Sequence, residues 1–111
     1  MTVHISDFAE WQITDTAEYI EQAYGIASKC EFRQCIRRTV RLLRKNPHLG
    51  PVEPLLADLP SGYRSIVVTP LNKMIYAIQD ESIEIVDLWD TRRDPSSLVS
   101  EVRAATQEIN D

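Results

Sequence analysis

The spacing of apolar residues changes several times along the chain, and each change marks an element. Residues 3–6, VHIS, alternate apolar and polar positions, the period of a short strand. Asp7, with Glu10 three residues on, then offers a cap for a helix in which Ile13, Ala17, Ile20 and Tyr24 form one apolar stripe. Gly25 closes it. A second helix is predicted over about 27–45, burying Phe32, Ile36, Thr39, Val40 and Leu43 and showing Arg33, Arg37, Arg41 and Arg44 on another side. A break of one residue makes the two helices an antiparallel hairpin.

Residues 46–62 hold four prolines and two glycines and stop the helical pattern, while Leu55, Leu56 and Leu59 suit a loop laid over the body. Three strands follow, over 63–68, 73–78 and 83–89, rich in β-branched and aromatic residues and joined by short turns as a meander. Asp94 and Pro95 then open a terminal helix striped by Leu98, Val102, Ala105 and Ile109. The order βααβββα predicts an α+β domain, in which an N-terminal strand and a helical hairpin pack on a mainly antiparallel four-stranded sheet followed by a C-terminal helix. With one short helix to spare, the second sheet face is expected to be an open groove.

A chain of 111 residues suits one domain spanning 1–111. It has no apolar run long enough for a membrane span, and its first residues lack the pattern of a secretory signal, so the cytoplasm is the expected location. Cys30 and Cys35 would lie about 140° apart around a helix and share no metal, and His4 and His48 are isolated. Neither metal nor cofactor is expected.

The net charge is −5, which argues against unspecific nucleic-acid binding as the main activity. Its distribution is uneven: residues 1–31 carry −5, whereas Arg33, Arg37, Arg38, Arg41, Arg44 and Lys45 give residues 32–45 a charge of +6. A basic segment sits in an acidic molecule.

The element order, with Ala17, Tyr19 and Ile20 in the first helix, NPHLG at 46–50, YRSIVV at 63–68, KMIY at 73–76 and RRDP at 92–95, resembles the RelE/ParE superfamily of bacterial toxins over nearly the whole chain. The resemblance implies the toxin of a type II toxin-antitoxin pair, held inactive by a cognate antitoxin and meeting operator DNA only through that complex. RelE-like members cut mRNA on the ribosome without a metal, and ParE-like members bind and block DNA gyrase.

Cleavage needs a base, an acid and cations around the phosphorane. Mapped onto this family, Arg64, Lys73 and Arg93 fill three cationic positions, but Ile66 and Val99 stand where a second lysine and a catalytic tyrosine would be. Only Lys73 could shuttle a proton, since arginine stays protonated. Tyr76 is the nearest remaining phenol, although its strand could turn it into the core. Structural readings compete: Arg64 as a solvated strand residue, Lys73 as an edge-protecting charge, and Arg92 and Arg93 as partners of Asp87, Asp90 and Asp94. The missing groups, the acidic charge and the proline-punctuated loop favour ParE-like gyrase binding through Arg64 and Arg93. A divergent endoribonuclease using Arg64, Lys73 and Arg93, and a degenerate toxin that only binds its antitoxin, are the alternatives. For the antitoxin, Arg33, Arg37, Arg41 and Arg44 and the apolar Leu98 and Val102 are the candidate contacts, an amphipathic helix being the expected ligand.

Overall fold

The computed structural model describes residues 1–110, with side chains to Ala105; the Ile109 position of the predicted stripe lies outside the described side chains. Strand β1 (Thr2–Ile5) leads into helices α1 (Asp7–Tyr24) and α2 (Ile26–Lys45), then a single 3₁₀ turn at Pro54–Leu56. Strands β2 (Arg64–Thr69), β3 (Asn72–Gln79) and β4 (Ser82–Asp90) precede helix α3 (Ser96–Asn110). The sheet order is β1-β4-β3-β2, with β1 parallel to β4 and the other pairs antiparallel. The predicted α+β fold is the observed one.

The N-cap of α1 is Ser6, whose hydroxyl accepts from the Ala9 N–H at 3.1 Å; the Asp7 cap expected from the sequence is one residue late. Ser6 is well placed because its own N–H is tied to the Ile85 carbonyl at 2.9 Å, which fixes where the strand ends and the helix starts. Ser6→Ala should therefore cost about 1 kcal/mol in a denaturant titration, with the fold retained. Gly25, at φ 98°, joins α1 to α2 in a backbone conformation that side chains with a Cβ rarely adopt.

The hairpin covers one sheet face: Ala9, Ile13, Ala17, Phe32, Ile36 and Leu43 pack with Met74, Tyr76, Ile83, Ile85 and Leu88. The other face is not the open groove expected from the sequence. Leu98 and Val102 of α3, with Leu56 and Tyr63, close over Ile75, Ala77 and Trp89, and Leu59, Val86 and Val99 pack alongside. Two leucines of the proline-rich loop supply the apolar cover that one helix alone would lack.

A bulge in β4 assigns its residues to these faces. Ile75 pairs with Asp87 but Tyr76 pairs with Ile85, leaving Val86 as the extra residue. Simple alternation from Ile85 would send Asp87 and Trp89 into the hairpin core; the bulge turns them to the α3 side and gives Leu88 to the hairpin.

Candidate functional site

The end of β4, its turn and the start of α3 gather the charge. The Arg92 guanidinium forks onto Asp90, at 3.0 Å from Nε and 2.8 Å from Nη2, and this contact holds the Asp90 carboxyl below its usual range. Arg93 reaches the other way: its guanidinium lies 4.4 Å from the centre of the Trp89 ring and donates to Glu101 Oε1 at 3.0 Å. Asp94 caps α3 by accepting from the Ser96 N–H at 3.1 Å. The arginines of the RRDP segment are thus oriented by acids, as expected, although Glu101 and not one of the three aspartates holds Arg93.

Behind Arg93 lies a group that the sequence did not announce. Asp87 is fully buried, and its Oδ1 accepts from Gln12 Nε2 at 3.1 Å, while Gln12 Oε1 accepts from the Leu88 N–H at 2.8 Å. Gln12 fills that place because β1 stops pairing with β4 at Ile85, leaving the next stretch of its edge unpaired by a strand. The remaining oxygens, Asp87 Oδ2 and Glu101 Oε2, are buried without a donor if both carboxyls are ionised, and a single proton between them satisfies both. Burial, reinforced by the hydrogen bond to Glu101 and its charge, pushes the Asp87 carboxyl up to about 8. Burial also opposes ionisation of Glu101, but the hydrogen bonds from Asp87 and Arg93 outweigh it and hold its carboxyl below the usual range. The one hint in the sequence was an acid at position 87 among the otherwise apolar residues 85–89.

The three mapped cations do not converge. Arg64 pairs in register with Tyr76, and Lys73, three residues earlier on β3, pairs with Val67 and Trp89, so alternation puts Arg64 and Lys73 on opposite sheet faces. Lys73 shares its face with Arg93 through Trp89. It is bound to Glu53, Nζ to Oε1 at 2.6 Å, and the other oxygen of that buried carboxylate accepts from Ser65 Oγ at 2.7 Å. Since β3 is an inner strand, Lys73 is no edge-protecting charge.

Arg64 is half-buried and donates to the Gly50 carbonyl at 2.7 Å, so it braces the turn after α2. Tyr76 points into the core beside it, accepting from the Gly50 N–H at 2.9 Å and donating to the Pro47 carbonyl at 2.8 Å. Burial raises its phenol above the ordinary range, against the smaller pull of the Gly50 N–H and the Arg64 charge. Both Tyr76 and Lys73 are held by partners within the chain.

The antitoxin candidates divide as well. Leu98 and Val102 are fully buried against the sheet and are reachable only if α3 lifts. Arg37, Arg41 and Arg44 are exposed on α2, and Arg33 is half-buried. Among the described residues no group of three or more metal-ligating side chains is placed to hold an ion. No described helix is long and apolar enough to cross a membrane.

A family model described as the ParE toxin of the type II toxin-antitoxin system parDE matches residues 3–95. The chain belongs to the ParE toxin family. Solved structures agree on the fold of this ParE-family chain. The chromosomal ParDE toxin-antitoxin system from P. aeruginosa aligns with TM-score 0.67 at 14% identity, covering 81% of this chain and 95% of that one. A YoeB/ParE toxin from Agrobacterium tumefaciens gives 0.55 at 18%, covering 81% and 98%. The YoeB-YefM complex from Staphylococcus aureus gives 0.51 at 18%, covering 79% and 93%. No curated protein sequence matches the chain. The ParE family match spans β1 through Pro95, so it includes the arginine turn but not α3.

Proposed function

We propose that this ParE-family toxin acts by binding DNA gyrase and does not cut RNA, its antitoxin preventing that contact. The separation of Arg64 and Lys73 onto opposite sheet faces carries this reading. RNA cleavage needs a proton shuttle and several cations around one phosphate. Here Lys73, the shuttle that the sequence offered, is held in an ion pair with buried Glu53, and the Tyr76 phenol is bound inside the core. A binding mode requires only an exposed, oriented surface. Arg93 supplies it beside Trp89, with Arg92 next to it, and Arg64 contributes indirectly by holding the Gly50 turn.

The test adds purified toxin separately to a gyrase supercoiling reaction and to programmed ribosomes. Gyrase inhibition with intact mRNA is the expected result. Arg93→Ala should weaken inhibition about 10-fold or more, the worth of one charge-assisted contact of about 1.5–3 kcal/mol. Lys73→Arg keeps a cation beside Glu53 but removes the proton shuttle, so it should leave inhibition unchanged. A-site cleavage abolished by Lys73→Arg would overturn the proposal in favour of an endoribonuclease. Uninhibited supercoiling together with intact mRNA, with antitoxin binding retained, would overturn it in favour of a degenerate toxin.

A further inference from the structure

The α2 surface is a second electrostatic feature, independent of the RRDP turn. Arg33, Arg44, Arg37, Arg41, Lys45 and Arg38 fall, in that angular order, within about 140° of the helix circumference and along about 18 Å of its axis. The opposite side of α2 is the packed one, through Phe32, Ile36, Thr39 and Leu43, so the cations point outward. Among the described residues none of these six side chains forms a hydrogen bond or an ion pair; the ion pairs found lie elsewhere.

Such a face opposes helix formation. Arg33 and Arg37, Arg37 and Arg41, and Arg41 and Lys45 are like charges one turn apart, and no acid lies among them in residues 32–45. Arg44 and Lys45 gain from the helix C-terminus, but the four arginines before them stand outside the last turn. An anion laid along the face would relieve this repulsion.

The chemistry of the face selects the anion. Arg37, Arg38 and Arg41 surround a shallow hollow of about 320 Å³ whose fourth lining residue is Gln34, so it offers no apolar anchor. Protein partners bind through a desolvated, largely apolar centre with charges at the rim. Phosphodiester contacts are polar throughout and are made by arginine, whose planar fork matches two phosphate oxygens. The length of the face corresponds to about five nucleotides of one strand at a rise of about 3.4 Å each.

We propose that the arginine face of α2 docks on the phosphodiester backbone of a nucleic acid. The −5 net charge does not prevent this: the acidic remainder weakens attraction beyond about a Debye length, so binding is short-ranged, oriented by α2 and strongly salt-dependent.

The experiment measures fluorescence anisotropy of a labelled mixed-sequence DNA duplex, and of a single-stranded RNA, titrated with the full chain at about 50 mM and about 200 mM salt. Release of about four counterions predicts roughly 10²-fold weaker duplex binding at the higher salt. Arg37→Glu with Arg41→Glu should reduce low-salt binding by at least about 10-fold, while Arg37→Lys with Arg41→Lys retains most of it; circular dichroism verifies that both pairs fold. Duplex binding assigns the face to DNA and RNA binding to RNA, each supporting the shared phosphate chemistry. Absence of binding to both at the lower salt, or binding indifferent to the glutamate pair, overturns the proposal. Salt-dependent capture of polyglutamate with no nucleic-acid binding would overturn it too, and would assign the face to an acidic protein segment such as the antitoxin's.

Discussion

Raising the pH from about 5.5 to about 8 should cost the folded protein on the order of 3 kcal/mol, most of it traceable to one buried carboxyl. Asp87 stays protonated in the folded chain up to about pH 8 but ionises near its ordinary value of 3.8 once unfolded. Between those values the folded state holds the extra proton, so stability falls as pH rises, by about 1.4 kcal/mol per pH unit for one such group. Glu101 has the opposite sign. Its carboxyl ionises more readily when folded, so the stability it gives is fully present above its ordinary range and is lost as pH falls below that range through the lower folded value. The pair is best satisfied in mildly acidic solution, where one proton serves two oxygens.

Asp87→Asn isolates the effect. The amide keeps an oxygen for Gln12 Nε2 and offers an N–H to Glu101 where the shared proton stood. We expect this variant to lose less than about 1 kcal/mol over the same interval and to exceed the parent in stability at about pH 8. Urea titrations of both proteins across the interval decide it: parallel slopes would show that Asp87 is not the group responsible.

Gly50→Ala should be the most damaging glycine-to-alanine change in the chain. A Cβ at Gly50 would stand 2.4 Å from the Ser65 carbonyl oxygen and 2.9 Å from the Tyr76 hydroxyl. The obstruction on the sheet side is backbone, so the turn itself must move. That movement breaks the Gly50 N–H bond to Tyr76, strains the Tyr76 bond to Pro47 and withdraws the carbonyl that Arg64 holds. Overpacking together with a buried hydroxyl that loses its donor gives about 3 kcal/mol, or a fall in Tm of about 12 °C. Differential scanning calorimetry reads the shift directly. A change under about 1 kcal/mol would mean that the turn is not seated on β2 as described. Gly25→Ala is a useful contrast, because nothing lies within 4 Å of its Cβ and its cost comes from φ alone.

The sequence by itself determined every α-helix and strand and the strand meander. Those depend on local periodicity, on Gly25 and on the prolines of residues 46–62, which act within a few residues of where they stand. It also determined that α2 carries a basic face, because a helix turns spacing directly into angle. Only the tertiary structure decided which face each β4 residue serves. One extra residue at Val86 reverses the alternation, so Trp89 and Asp87 meet α3 while Leu88 meets the hairpin, and no pattern within the strand distinguishes the two phases. The same holds for Lys73 with Glu53, Arg93 with Trp89 and Glu101, and Asp87 with Gln12. Most of these partners lie many residues apart in the chain, and even Arg93 reaches Trp89 only because the bulge has turned that ring toward α3. Such contacts come from the packing of whole elements, which residue spacing along one strand or helix does not encode.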